Sequence, residues 1–479
     1  MATEKRTILS KRHIPILAAV IAAVLGTVTL VWWFSVEPVG ISLAYRIPLS
    51  NEMNIKKSVQ ALSETVTIAG VFKKFGGTSS PITASWPRFR GADFDNIAKE
   101  DIRLKNSWGP KGPPVLWSVD LGEGYAAPAV MNGRVYVLDY NETERADALR
   151  CFSLDNGAEI WRRTYKIDVK RNHGMSRTTP AVTAKYALTV GPKCHVLCVD
   201  AVSGGFLWGI DLPREQGTKV PLWYTGQCPL IDNNIAVIAA GGKDLLIGVD
   251  CASGKVVWRA PNVNKWDMSH ASVMPMTLSG KRVYVYPALG GIVGVSAESA
   301  DRGRIVFSTR EWNPSVSAPS AVQTGPDTFL ITAGYGAGSA MFRVNGNAVS
   351  LIYKKTKEEF GCEQQTPIFY QNHLFTVMPP DGGGHRGELV CMTPDGRTVY
   401  ASGREDRFGL GPYMIADGKL FLLDDSGVLT MSRAGTVKYE RLARAKLLSG
   451  RDSWGPLALV SGRMLLRDLK RLICIDLRE

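Results

Sequence analysis

The sequence predicts an all-β fold, an eight-bladed β-propeller that follows a single N-terminal transmembrane helix. Two observations lead to this fold class. A unit of four short strands recurs eight times after residue 114, and 48 glycines and 26 prolines supply the tight turns that such strands need. A run of 23 uncharged residues, 14–36, precedes the repeats, and as a helix it is long enough to cross a membrane.

Eight prolines mark the repeats, at spacings of 52, 49, 46, 44, 48, 45 and 44 residues. This period fits the four strands and turns of one propeller blade. The marker residues are Pro128, Pro180, Pro229, Pro275, Pro319, Pro367, Pro412 and Pro456.

An Asp-turn-Trp unit recurs within the repeats, most clearly from Asp200 to Trp208 and from Asp250 to Trp258. We expect the Asp and Ser side chains to hydrogen-bond the turn backbone, and each Trp to pack flat between adjacent blades. The turn glycine accepts a positive φ. These residues are therefore interpreted as structural.

The two ends of the repeat region complement each other. The last repeat ends at Asp476 with no tryptophan strand after it, whereas residues 114–119 form such a strand, around Trp117, with no repeat before it. Pairing the two would complete an eighth blade and remove the open edges of the ring. We therefore predict seven internal blades and one composite blade.

The chain divides into four predicted parts. Residues 1–13 carry Lys5, Arg6, Lys11 and Arg12, so the positive-inside rule places them in the cytoplasm. Residues 14–36 end in an aromatic cluster, Trp32 to Phe34, and not in a small-residue cleavage site, which favours an uncleaved signal anchor. Residues 37–85 are predicted to be an extracytoplasmic linker. Residues 86–479 are predicted to be the propeller, on the periplasmic or another extracytoplasmic side of the inner (cytoplasmic) membrane.

The formal net charge of +13 does not indicate a nucleic-acid partner, because no Lys/Arg-rich run occurs after residue 85. We predict the membrane and a protein of the cell envelope as partners instead. Five of the eight cysteines occupy the same strand of different blades, which favours core packing over disulfides or a metal site. They are Cys151, Cys198, Cys251, Cys391 and Cys474.

The unit Asp-Ala-x-Ser-Gly-x-x-x-Trp, from Asp200 to Trp208, resembles the repeat of pyrroloquinoline-quinone (PQQ) propellers, and the resemblance covers about residues 86–479. The opening Trp86 to Gly91 resembles the lead-in of a large bacterial group of such proteins. This superfamily includes PQQ-dependent dehydrogenases and also non-catalytic relatives, such as the propeller lipoprotein of the outer-membrane barrel assembly machine. The resemblance implies the fold and leaves the function open.

Polar and aromatic residues are concentrated in the connectors before the innermost strands, which in propellers gather around the mouth of the central channel. A concave site with converging charges and aromatics is the default candidate for ligand binding. The alternative is that these residues only close the ring, by pairing across blades and covering the channel. The candidates are Glu123, Tyr125, His173, Arg177, Trp223, Gln227, His270, Glu363, Gln364, Arg407 and Trp454.

Two function classes remain. The resemblance allows a PQQ- and calcium-dependent alcohol or sugar dehydrogenase, but such enzymes typically use an adjacent Cys-Cys pair, which this sequence lacks. Glu123, Asn172, Glu363 and Asp452 are the residues that calcium would use. The favoured interpretation is a non-catalytic binding or scaffold module with no cofactor and no metal, and no catalytic residue is assigned.

Overall fold

The computed structural model describes residues 14–35, 66–172 and 174–479. Residues 1–13 and 36–65, predicted to be the cytoplasmic segment and most of the linker, lie outside the described residues, as does His173. Ile14–Ser35 is an α-helix. Its segment Pro15–Trp33 is long and apolar enough to cross a membrane, a test that a signal sequence also passes.

Eight antiparallel sheets of four repeat strands each form the β-propeller. We number the blades in chain order. The strands of blade 1 are Ala129–Met131, Arg134–Asn141, Ala146–Ser153 and Glu159–Lys166. Those of blade 2 are Ala181–Val182, Tyr186–Val190, His195–Asp200 and Phe206–Asp211. Those of blade 3 are Leu230–Asp232, Ile235–Ala239, Asp244–Asp250 and Val256–Pro261. Those of blade 4 are Met274–Leu278, Lys281–Ala288, Gly291–Ser296 and Ile305–Thr309.

The second half of the ring repeats this order. The strands of blade 5 are Val322–Gln323, Thr328–Ala333, Gly338–Asn345 and Ala348–Lys355. Those of blade 6 are Ile368–Tyr370, His373–Val377, Leu389–Met392 and Thr398–Ala401. Those of blade 7 are Tyr413–Ala416, Lys419–Leu423, Val428–Arg433 and Arg441–Lys446. Short helices at Leu212–Gln216 and Gly383–His385 lie in connections.

Blade 8 is the predicted composite. Ala458–Val460, Arg463–Arg467 and Arg471–Asp476 supply three strands, and Val115–Asp120 pairs antiparallel with Arg471–Asp476 as the fourth. The two ends of the repeat region are thus held in one sheet. The prediction of eight blades with a composite closure is confirmed.

The turn tryptophans pack between blades as predicted. Trp161 Nε1 donates to Val202 O at 3.1 Å, in the Asp turn of the next blade. Gly204 of that turn has φ 71°, and a Cβ there would lie 2.7 Å from the Trp161 ring. Only glycine therefore fits beneath this ring. The Asp200 carboxylate accepts from the Ser203 amide at 2.7 Å and closes the turn.

Part of the predicted linker belongs to the propeller body. Val71–Lys74 pairs antiparallel with the outer strand of blade 1, making that sheet five-stranded. Ile68 is buried in the core, and the Ser80 amide donates to Gly133 O at 3.0 Å. The outer edge of blade 1 thus recruits a strand from the predicted linker, and this strand carries no repeat signal.

The lead-in, residues 86–98, crosses the ring. Trp86 exchanges backbone hydrogen bonds with Val130 of blade 1, and Arg88 Nη1 donates to Ile231 O of blade 3 at 3.3 Å. Ile97–Ala98 then pairs in parallel with the first strand of blade 7. Blades 3 and 7 lie opposite each other in a ring of eight, so this segment crosses the ring from one side to the other.

Candidate functional site

Connectors from all eight blades line one cavity at the mouth of the channel. Each connector precedes the first strand of its blade, and first strands of neighbouring blades lie side by side around the axis. The cavity has a volume of about 250 Å³. Each connector contributes at least one lining residue. In blade order from 1 to 8, these include Tyr125, Arg177, Trp223, His270, Ala318, Glu363, Leu410 and Trp454. Phe89 of the lead-in also contributes to the wall.

Aromatic rings form two sides of the cavity. Trp223 stacks on Tyr335, with ring centroids 5.8 Å apart and planes at 16°, and its centroid lies 6.0 Å from that of His270. A second pair of rings is formed by Tyr125 and Trp454, whose centroids lie 5.0 Å apart. Trp454 is held in place because its Nε1 donates to the Asp425 carboxylate at 2.7 Å. The cavity therefore offers flat apolar surfaces with fixed orientation.

Arg177 brings a positive charge to this wall. Its Nη2 donates to the Asn172 carbonyl at 2.9 Å, and the guanidinium carbon lies 5.5 Å from the centroid of the Tyr125 ring. Burial lowers the pKa of Arg177 to about 10. The side chain is still charged at neutral pH, so the cavity holds a cation that is largely withdrawn from water.

Two further titratable side chains line the cavity. Burial, and then the nearby charge of Arg177, lower the pKa of His270 to about 4, so its imidazole is neutral at neutral pH. Burial, followed by the charge of Asp381, raises the pKa of Glu363, while a hydrogen bond from Tyr335 opposes the rise. The neutral His270 imidazole adds no charge to the cavity, whereas Arg177 brings a positive charge and Glu363 brings a carboxyl group whose pKa is raised.

A chain of short side chains links five blades at the base of the connectors. Each backbone N–H donates to the side chain at the equivalent position of the next blade. The pairs are Thr179 to Cys228 Sγ at 3.2 Å, Cys228 to Ser272 Oγ at 2.9 Å, Ser272 to Ser320 Oγ at 2.9 Å and Ser320 to Thr366 Oγ1 at 2.9 Å. Thr179, Cys228 and Ser272 also face the cavity. This chain fixes the relative positions of the connectors.

The structure divides the eleven predicted residues. Seven of them line the cavity, namely Tyr125, Arg177, Trp223, His270, Glu363, Gln364 and Trp454. His173 lies outside the described residues. The remaining three have the ring-closing contacts of the alternative interpretation.

Those three residues are held by contacts within the propeller and do not line the cavity. The carboxylate of Glu123 accepts from Arg171 Nε at 2.9 Å. Gln227 is fully buried, and its Nε2 donates to Ala239 O at 2.9 Å. Arg407 lies 3.5 Å from the Glu388 carboxylate. These three residues are therefore not part of the cavity lining, and a ligand-binding role for the predicted residues stays a prediction.

Sequence reasoning missed Phe89 and the Thr179, Cys228 and Ser272 positions. Phe89 was assigned to the lead-in, and nothing local indicates that this segment reaches the axis. The other three follow a detectable signal, since a small hydroxyl or thiol residue recurs just before the first strands.

The residues present do not fit calcium-bound PQQ. Calcium takes six to eight oxygen ligands. Among the described residues that line the cavity, Glu363 is the one carboxylate. Asn172 Nδ2 donates to Leu222 O at 3.0 Å, and Glu123 is paired with Arg171. No group of three or more His, Cys, Asp or Glu arranged to hold a metal occurs in the described ranges.

A family profile described as "Outer membrane protein assembly factor BamB" matches residues 145–302 and 195–455 of this sequence. The matched region spans more than half of the chain. The chain belongs to this family of PQQ-like propellers. No curated protein matches it by sequence.

Solved structures agree on the fold of this BamB-like propeller. BamB from Moraxella catarrhalis is 12% identical over 76% of this chain and 100% of that chain, with a TM-score of 0.51. The computationally designed Ika8 protein is 9% identical over the same shares, with a TM-score of 0.52. Quinohemoprotein alcohol dehydrogenase from Comamonas testosteroni is 11% identical over 83% of this chain and 81% of that chain, but its TM-score of 0.43 is too low to support an inference.

Proposed function

We propose that the protein is a membrane-anchored, extracytoplasmic binding module without catalytic activity, and that its channel-mouth cavity holds an anionic group of a ligand or partner. The observation that carries this proposal is Arg177. Its charged guanidinium is largely withdrawn from water in a cavity to which all eight blades contribute.

The chemistry of the wall favours a carboxylate attached to a flat or apolar body. Guanidinium binds carboxylate strongly, and more so where water is excluded. Trp223, Tyr125 and Trp454 supply surfaces on which such a body packs. The volume of about 250 Å³ lies just below the range of typical ligand pockets, so a small molecule or a single side chain of a partner protein suits it.

Sequence and family support the location. The basic N-terminus and the apolar helix Ile14–Ser35 suit a single span of the inner membrane, with the propeller on the periplasmic side. The family description names an outer-membrane assembly factor, which supports a protein partner in the cell envelope. We propose no nucleic-acid partner and no cofactor.

The test compares two arginine variants of the full chain. Wild type, Arg177→Ala and Arg407→Ala are extracted in mild detergent and examined by native mass spectrometry. We expect a bound molecule or partner in wild type and in Arg407→Ala, since Arg407 contacts Glu388 outside the cavity. Arg177→Ala should lose it. Equal retention in all three proteins would contradict the proposal.

A second measurement addresses the dehydrogenase alternative. PQQ and calcium are added to the wild-type protein, and the melting midpoint and dye-linked alcohol oxidation are measured. We expect neither to change, because the cavity presents a single described carboxylate. A raised midpoint, together with oxidation that Glu363→Gln abolishes, would establish the enzyme instead.

A further inference from the structure

A cluster of buried polar groups lies directly behind the Arg177 wall of the cavity, between blades 1 and 2. Asp147, Tyr165, Ser176 and His195 are each less than 5% exposed. Asp147 and Tyr165 come from neighbouring strands of blade 1, where they are cross-strand partners. His195 begins the third strand of blade 2, and its ring lies edge-on to Tyr165 with centroids 5.6 Å apart.

The cluster is joined to the cavity through Ser176. Ser176 Oγ donates to Asp147 Oδ1 at 3.1 Å. The carbonyl of Ser176 accepts the amides of Tyr125 at 2.8 Å and Ala126 at 3.1 Å. Ser176 thus connects the buried carboxylate to the backbone of Tyr125, and it is the chain neighbour of Arg177.

We propose that Asp147 and Ser176 are positioning residues for the channel-mouth cavity, whose hydrogen bond fixes the two segments that carry Tyr125 and Arg177. The control of ligand affinity that would follow from this positioning rests on the proposed binding function. The geometry of the two segments is a property of the unliganded protein.

The backbone of blade 2 packs closely against the Asp147 and Tyr165 side chains. Gly191 of blade 2 faces the cluster, and a Cβ at this position would lie 2.1 Å from the Tyr165 hydroxyl oxygen and 2.7 Å from Asp147 Oδ2. The absence of a side chain at Gly191 therefore admits the Asp147 and Tyr165 pair. Because Ser176 Oγ donates directly to this buried carboxylate, we expect a change in the charge of Asp147 to alter that hydrogen bond.

The surroundings of Asp147 bring its ionisation close to neutral pH. Burial raises the pKa of Asp147 to about 7, the nearby Tyr165 hydroxyl and the hydrogen bond from Ser176 oppose the rise, and the charge of Asp139 adds to it. Other titratable groups also surround this cluster. Tyr140 is the cross-strand partner of Asp147 on the second strand of blade 1. Blade 2 contributes Cys194, His195 and Asp211. When Asp147 is ionised, the bond from Ser176 is charge-assisted and stronger. The Arg177 and Tyr125 segments should therefore be held more tightly above pH 7 than below it.

The test follows the backbone amide signal of Tyr125 by NMR as the pH is changed, with no ligand added. The full chain is labelled with ¹⁵N-tyrosine, which gives 15 backbone signals, and Tyr125 is assigned with Tyr125→Phe. Because the Tyr125 amide donates to Ser176 O, its shift should change with a midpoint between about pH 6 and pH 8. Asp147→Asn and Ser176→Ala should each abolish this transition. Either variant alone suffices if the other fails to fold.

Matched controls are available in blade 4, where Ser296 is buried and donates to Asp301. Asp301→Asn and Ser296→Ala remove the same kind of bond and should leave the Tyr125 transition unchanged. A transition that survives in Asp147→Asn, or one that is absent from wild type, would overturn the inference. Failure to find a bound ligand, with the transition intact, would instead count against the proposed binding function alone.

Discussion

Arg467 Nη1 donates to the carbonyl of Ala126 at 3.0 Å, and this bond joins blade 8 to the connector that begins blade 1. The same guanidinium donates to Leu138 O at 3.3 Å and to Gly122 O at 3.0 Å. Arg467 is fully buried, and burial lowers its pKa to about 10. One side chain thus satisfies three backbone carbonyls at the seam where the ring closes.

Arg467→Ala should destabilise the propeller by about 3–5 kcal/mol, because it leaves buried carbonyls without a donor at the closing seam. Arg433→Ala is the control, since Arg433 is 61% exposed and pairs with Glu440 on the surface of blade 7. Its effect should lie within about ±0.5 kcal/mol. Denaturant unfolding measures both. Similar midpoints for the two variants would mean that Arg467 does not secure the closure.

The composite blade makes a separate prediction through Trp117. This residue is 7% exposed, and its Nε1 donates to Leu154 O of blade 1 at 2.9 Å. Trp117→Ala should cost about 3–5 kcal/mol by leaving a cavity between blades 8 and 1. Leu116→Ala, on the same strand but 38% exposed, should cost less than about 1 kcal/mol. If both variants unfold at the wild-type denaturant concentration, the strand does not contribute to closure.

His270 predicts a component of acid sensitivity. Its folded-state pKa of about 4 is below the ordinary 6.5, so the unfolded chain binds more protons between these values and stability falls as pH drops from 6.5 towards 4. When the pH is lowered from 7 to 5, the free energy of unfolding of His270→Gln should fall by roughly 2 kcal/mol less than that of wild type. His373→Gln, which changes a histidine outside the cavity wall, should retain the wild-type loss. The measurement is denaturant unfolding at both pH values.

The titration of Asp147 changes the stability of the protein with pH in the direction opposite to that of His270. Its folded-state pKa is raised from 3.8 to about 7, so its contribution to stability is largest in acid and declines as pH rises through this window. The two effects partly cancel in the wild-type protein between pH 4 and 6.5. The variant must therefore be compared with wild type at each pH. The expected result is that Asp147→Asn gains stability relative to wild type from pH 5 to pH 8, and a constant difference would contradict it.

The repeat could be predicted because its chemistry is local. Asp200, Gly204 and Trp208 each serve a turn or a blade contact that recurs at a fixed spacing. Val71–Lys74 could not be predicted as a strand, because four residues without a repeat signal are recruited by the open edge of blade 1. Tertiary pairing, and not local preference, decides that segment.

The candidate site was predicted only to the level of the connectors. These segments lack a regular period, so the sequence does not tell whether Arg177 or Arg407 points to the axis. Asp147 illustrates the same limit in a strand. In Ala146–Ser153 it occupies a position that reads as a polar, outward residue, yet blade 2 buries it.

The last prediction concerns the anchor. A reporter fused after Glu479 should be active only outside the cytoplasm, because the positive charges precede the apolar helix. Replacing Lys5, Arg6, Lys11 and Arg12 with Gln, and adding four lysines after Ser35, should invert the reporter. The same four lysines added after Glu479 are the control and should leave the orientation unchanged, since they lie far from the membrane segment. Intact mass of the extracted protein decides between anchor and cleaved signal. A mature chain that begins beyond Ser35 would make the helix a signal sequence and leave the propeller without this membrane attachment.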